Sequence, residues 1–187
     1  MNPKKDNLSM SFLELVRKRR SCRKYSSRPV PPEAIRRCLE AARLSPSACN
    51  SQPWRFIVVQ EPGLKGRLGE KAFSGIHKMN AFARSAPVLV VVIREVSKYA
   101  AELGGALRGV PYSLIDLGIA CEHFILQAAE EDLSTCWLGW FDARAVKKVL
   151  KLGLWDKVDI IISLGYAQDT PDAEKKRKPA LQIAEFR

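Results

Sequence analysis

Three short segments hold the residues whose types and spacing can do chemistry. The first is Arg19-Arg20-Ser21-Cys22-Arg23, where three guanidiniums and a hydroxyl fall within five residues. Donors at that density suit a phosphate or the carbonyl-bearing edge of an aromatic ring. They suit equally a solvated basic helix end favoured by the helix dipole. The second segment is Ser45-Pro46-Ser47-Ala48-Cys49-Asn50-Ser51-Gln52-Pro53-Trp54. Its small residues let a ligand approach the backbone, and the Asn50 and Gln52 amides, with Ser47 beside them, can read donors and acceptors on a heterocycle. An ordinary proline-bounded turn has the same composition. The third is Cys136-Trp137-Leu138-Gly139-Trp140-Phe141-Asp142, a strand end with a glycine between tryptophans. Gly139 would let a flat ring lie against the backbone of Leu138, Gly139 and Trp140, with a main-chain N–H addressing a ring nitrogen. The alternative is apolar core followed by a helix cap, and Asp142 is assigned to that cap.

Other chemistries lack their signatures. There is no G-x-S-x-G, no Walker loop and no G-x-G-x-x-G; Gly63, Gly66 and Gly69 recur every third residue and do not make that fingerprint. A nicotinamide would therefore bind transiently. His77 and His123 have no carboxylate or cysteine at ligand spacing, and His123 on an apolar helix reads as a satisfied core residue. Cys22, Cys38, Cys49, Cys121 and Cys136 are scattered singly and read as buried thiols, with neither a disulfide framework nor a zinc site.

The elements that must position these segments follow from periodicity. Leu8–Arg20 reads as a helix with Phe12, Leu13, Leu15 and Val16 on one side. A second helix begins at Val30-Pro31-Pro32-Glu33 and stops at Ser45-Pro46. Residues 54–59 and 87–93 are apolar, β-branched strands with short helices between them, and Arg94–Pro111 is a loop. Over Tyr112–Asp132 apolar residues surround the helix axis almost completely, which marks a central scaffold helix. Strands at 134–140 and 158–164 flank an amphipathic helix at Ala143–Leu150, and the tail from Tyr166 is too polar to form a core of its own. The alternation gives an α+β, three-layer αβα pattern. At 187 residues with 47% apolar content, and with no repeat or linker, the chain is expected to form one domain over 1–187. It lacks a leader-like start or a run near the ~20 apolar residues of a membrane span, so a cytoplasmic location without membrane association is expected.

Thirty-one Lys and Arg against 20 Asp and Glu leave a formal charge of +11. That surplus implies anionic partners: phosphate, or in a rival reading nucleic acid, for which no groove-reading motif is present. Arg17–Arg23 and Lys175–Lys178 are the two dense clusters, and they form one anion pocket if the fold brings them together.

In this order, the three segments and the basic tail resemble the nitroreductase family of flavoproteins. The resemblance runs from Phe12 to Pro179 and rests on Arg-Arg-Ser-Cys-Arg-Lys-Tyr, on Ala41–Phe56, on Leu133–Gly139 and on Leu164-Gly165-Tyr166. It implies a nitroreductase-like fold with a central mixed, largely antiparallel sheet and a long buried central helix. It also implies a homodimer with FMN at the subunit interface, residues 166–187 packing on the partner subunit. By position, Arg19, Arg20, Ser21 and Arg23 would hold the flavin's phosphate and pyrimidine edge, with Lys175 and Arg177 closing on the phosphate. Ser47, Asn50 and Gln52 would meet the ring or ribityl chain from the partner, and Leu138, Gly139 and Trp140 would lie over the flavin. The implied activity is a ping-pong transfer from NADH or NADPH to a small electrophilic acceptor, a nitroaromatic or quinone. Family relatives that dehalogenate, dehydrogenate or break down flavin offer the alternative. Where many members carry Gln-Asn on the central helix, this chain has Glu122-His123.

Overall fold

The computed structural model of the chain describes residues 10–95, 109–169 and 175–187. Helix α1 (Phe12–Lys18) opens with a capping box in which Ser11 Oγ accepts from Glu14 N–H and Glu14 Oε2 accepts from Ser11 N–H. Helix α2 (Pro32–Arg43) has proline in its first turn and buries Ala34, Ile35, Cys38 and Ala42. There follow strand β1 (Trp54–Val59), helix α3 (Pro62–Ala72), a 3₁₀ segment (Gly75–Ser85) and strand β2 (Val88–Arg94). The central helix α4 (Tyr112–Glu130), strand β3 (Ser134–Leu138), helix α5 (Ala143–Leu150) and strand β4 (Lys157–Gly165) complete the order, with short 3₁₀ turns at Ala48–Asn50 and Ala180–Gln182.

The sheet runs β1-β2-β4-β3. Every pairing in it is antiparallel, with Val91 opposite both Ile57 and Ile161. Among the described residues the expected mixed character survives only as an isolated parallel bridge from Ser21 to Thr135 of β3. β2 is apolar along nearly its whole length because both faces are covered, a pattern commoner in parallel sheets. Alternate residues point to opposite layers: Val88, Val90 and Val92 pack with Ile160, Ile162 and Leu164 against α2 and α4, whereas Leu89, Val91 and Ile93 pack with Ile161 against α3, α5 and the long 3₁₀ segment. This is the three-layer αβα arrangement.

Two expectations change. α4 is not covered all round: its Leu114 and Ile115 are 40% and 50% exposed, and on α1 Phe12 and Leu13 are exposed as well, since none of the described residues covers those faces. α1 is also shorter than Leu8–Arg20, stopping where the backbone turns extended at Arg19. The loop expected over Arg94–Pro111 falls mostly outside the described residues; Arg94 itself closes β2, and Glu95 N–H donates to Pro53 O. Among the described residues no helix is long and apolar enough to cross a membrane.

At the end of β4, Gly165 touches the packing of two other segments. A Cβ there would lie 3.0 Å from Pro87 Cγ, closer still to Pro87 Cδ, and 3.1 Å from Tyr25 Cδ1. Gly165→Ala is expected to cost roughly 1–3 kcal/mol by overpacking. The measurement is the midpoint of urea unfolding at unchanged slope, and an unmoved midpoint would show that the contact yields freely.

Candidate functional site

The arginine segment is held by its own backbone. Past α1 the chain runs extended beside the start of β3 and the residues that follow β4: Cys22 N–H donates to Thr135 O at 2.8 Å, Ser26 N–H to Tyr166 O at 2.9 Å and Gln168 N–H to Lys24 O at 3.0 Å. Tyr25 is buried beneath, its hydroxyl 2.8 Å from Ser163 Oγ and donating towards Cys22 O, so the strip is stitched to the sheet's edge from both sides. Desolvation raises the Tyr25 phenol far above its ordinary range and keeps it neutral. The guanidinium of Arg23 stands 5.9 Å from the Phe82 ring centroid, within cation–π reach.

Lys175 comes to the same place. Its ammonium donates to Val16 O at 2.9 Å and Arg17 O at 2.7 Å, satisfying carbonyls that the last turn of α1 leaves without helical partners. Desolvation first, and then the nearby Arg19, Arg20 and Arg177, pull its pKa below the usual lysine value. A pocket of about 330 Å³ results, lined by Arg19, Arg20, Ser21, Arg23, Lys175 and Arg177. The two basic clusters thus meet within a single chain. A larger neighbouring cavity takes in Glu122, whose carboxyl is pushed up by burial while Arg19 and His123 draw it down.

Ser47, Asn50 and Gln52 do not line that pocket. They sit in a tight loop with Cys49, Asn50 and Gln52 all in left-handed backbone conformations, φ 52, 52 and 45°. Gln52 N–H donates to Ser47 Oγ at 2.9 Å, and Gln52 Nε2 to Asn50 Oδ1 at 3.1 Å, so the amides hold one another. α4 anchors the loop: Asp116 Oδ1 accepts from Ala48 N–H at 3.1 Å, and Ser45 Oγ is hydrogen-bonded to His123 Nδ1. His123 is half-buried and satisfied, as its apolar helix suggested.

The Leu138–Trp140 segment ends β3. Leu138 is buried, Gly139 is exposed with nothing within 4 Å of where a Cβ would stand, and Trp140 is half-exposed. Trp140 is propped by the 3₁₀ segment, through Nε1–H to Ile76 O at 3.1 Å and through its carbonyl, which accepts from Asn80 Nδ2 at 2.9 Å. Asp142 caps α5, accepting from Ala145 N–H at 2.9 Å. Because β3 begins at the residues bridged to Ser21, it links the cationic pocket to the open glycine across its own length, about 13 Å at ~3.3 Å per residue. Asn80, His77 and Phe82, which buttress this region, carried no motif; only contact across the fold reveals them. Among the described residues no cluster of His, Cys, Asp and Glu could hold a metal ion.

An antiparallel sheet between two helical layers, with a cationic pocket where its edge strand starts and an unobstructed glycine where that strand ends, defines an α+β protein built around an anion site. Comparison with known proteins places it further. The profile of the nitroreductase family matches residues 16–166, and the chain belongs to that family. It is 33% identical over 86% of its length, and 87% of the relative's, to an Archaeoglobus fulgidus protein provisionally named NADH dehydrogenase/NAD(P)H nitroreductase. It is 31% identical to iodotyrosine deiodinase 1 of Rattus norvegicus, over 94% of this chain and 70% of that one. The solved structure of an FMN-dependent nitroreductase from Clostridium difficile R20291 superposes with a TM-score of 0.74 at 26% identity, covering 93% of this chain and 98% of the other.

The site loop also corrects the reading of the cysteines. Cys49, in a left-handed backbone conformation, is exposed, whereas the other four are buried. Burial pushes the Cys38 and Cys121 thiols up to about 12 and raises those of Cys22 and Cys136. Ellman's reagent on the native protein is expected to titrate one fast thiol per chain, lost in Cys49→Ser. Two or more fast thiols would contradict the burial.

Proposed function

We propose that this chain is an FMN-dependent oxidoreductase that moves electrons from NADH or NADPH to a small electrophilic acceptor, a nitroaromatic, quinone or similar molecule, in ping-pong fashion. The observation that carries this reading is the convergence of Arg19, Arg20, Ser21, Arg23, Lys175 and Arg177 on one small pocket. Four guanidiniums, an ammonium and a hydroxyl fit a phosphate monoester, and the open backbone at Gly139 leaves room for a flat ring at the other end of β3. When bound, FMN supplies the two-electron redox chemistry itself.

The chain's residues then have four tasks. The arginines and Lys175 bind the headgroup, and those nearest the ring's pyrimidine edge favour the negative charge that reduction places there. Main-chain N–H groups at Leu138, Gly139 and Trp140 orient the ring. Ser47, Asn50 and Gln52 reach a ring or ribityl chain in the partner's site, since they stand apart from the pocket of their own chain. The exposed apolar faces of α1 and α4, with Leu181, Ile183 and Phe186 of the tail, are the surfaces a homodimer would cover, residues 166–187 packing on the partner. No side-chain nucleophile or metal is assigned.

The 31% identity to iodotyrosine deiodinase 1 favours one second reading: the same flavin site devoted to reductive dehalogenation. A basic nucleic-acid-binding role finds less support, since the densest cations face one another in a pocket. We further assign the chain to a single domain acting in the cytoplasm.

Purified protein is expected to be yellow, with an oxidised-flavin absorption spectrum, and to turn over a quinone or nitroaromatic with NADH or NADPH. Colourless protein that takes up no added FMN sinks the reading. Arg19→Ala and Arg23→Ala should each weaken FMN retention by about tenfold or more, as expected for lost charge-assisted hydrogen bonds; undiminished occupancy in both would remove their assigned role.

A further inference from the structure

At the end of the sheet away from the cationic pocket, two adjacent apolar residues stand in solvent. Leu154 and Trp155 are each 90% exposed, in the turn that joins α5 to β4. β4 carries the chain from this turn to Gly165 beside the pocket, about 26 Å at ~3.3 Å per residue. α5 packs on the face of the sheet opposite α4, so the turn also lies apart from the faces assigned above to a homodimer. The turn is built to hold the pair outward. The backbone at Lys151 is left-handed, φ 52°, where α5 ends. Gly153 N–H donates to Asp156 Oδ2 at 2.8 Å, the Lys147 ammonium donates to Leu154 O at 2.7 Å, and Arg55 Nη2 donates to Asp156 Oδ1 at 2.7 Å. Val146, Leu150 and Leu152 pack into the core beneath the sheet, yet the apolar run continues past them into water. Single exposed apolar residues need no explanation; a leucine and a tryptophan side by side on a fixed turn mark a surface for contact.

Charge indicates what that surface meets. Lys147, Lys148, Lys151 and Lys157 flank the pair, and among the described residues none of them forms an ion pair. The acids nearby are instead matched by arginine, Asp156 and Glu95 by Arg55 and Asp159 by Arg94. The rim is therefore cationic and complements an anionic surface. Tryptophan and leucine at a tip, ringed by long lysine stems, are the residues that settle at the boundary between phospholipid headgroups and acyl chains. A nucleic acid could stack on the Trp155 ring but has no use for Leu154. We infer that the α5–β4 turn docks on an anionic phospholipid surface, Leu154 and Trp155 entering the headgroup–acyl boundary while the four lysines meet lipid phosphate. Such docking is peripheral and needs no spanning helix, so it revises the absence of membrane association expected from hydropathy. It holds whatever the cationic pocket binds.

The full chain, with its bound cofactor, is cosedimented with vesicles of phosphatidylcholine, with and without phosphatidylglycerol. Binding is expected only where phosphatidylglycerol is present, and it should fall as salt is raised. Trp155→Ser, and Lys148→Gln with Lys151→Asn, should each weaken it about tenfold or more. All three positions are exposed, so circular dichroism should show unchanged folding. Brominated phosphatidylcholine mixed into the anionic vesicles should quench tryptophan fluorescence of the wild type, and Trp155→Phe should still bind but lose that quenching. No vesicle binding overturns the proposal, as does equal binding to neutral and anionic vesicles. Binding that survives both sets of substitutions, or that leaves Trp155 unquenched, overturns it too. Self-association beyond a dimer that depends on Trp155, without vesicle binding, would give the tip to a second copy of this chain instead.

Discussion

The structure depends on gathering like charges. Two unit charges 6 Å apart repel by about 3 kcal/mol at an effective dielectric near 20, and here Arg19, Arg20, Arg23, Lys175 and Arg177 line a single small pocket. Such a cluster persists only where the backbone leaves the side chains no retreat. The strip from Cys22 to Ser26 is bonded to Thr135 and Tyr166 and underlain by the buried Tyr25, while Lys175 is tied to the carbonyls of α1. Rigid main chain thus bears the cost of the repulsion, and an incoming anion relieves it. That is preorganisation in its electrostatic sense.

β3 gives this pocket its relation to the rest. Its first residues bridge the arginine strip, its middle pairs with β4, and its end leaves Gly139 open above a floor formed by Leu138 and the 3₁₀ segment. Residues distant in sequence are set at a defined separation by a short element buried against the core on one side. Substitutions in the core under β3 would therefore alter the spacing of both ends of the site together.

Much of this was legible from local signals. The cap at Asp142, the proline start of α2 and the boundaries of α5 follow from residues within one turn of the event. The meeting of the two basic clusters was legible as a charge argument, although only topology could show that one chain suffices. What stayed hidden depends on coverage at long range. Apolar residues on α1 and α4 looked like core, since a pattern records what a face is made of and not whether anything lies over it. Cys49 looked like the other cysteines, because a left-handed turn at a non-glycine residue leaves little trace in composition. Glu122 was visible as an oddity on the helix, but its place beside Arg17 and Lys175 required the fold.

The tie between Lys175 and the end of α1 also bears on synthesis. Val16 and Arg17 emerge long before the residue that satisfies their carbonyls is translated, so the nascent chain must carry an unfinished helix end while the sheet assembles. The anion pocket closes late, after β4 has been made, and a released chain ending short of residue 175 would keep all four strands yet lack Lys175 and Arg177 from the pocket wall.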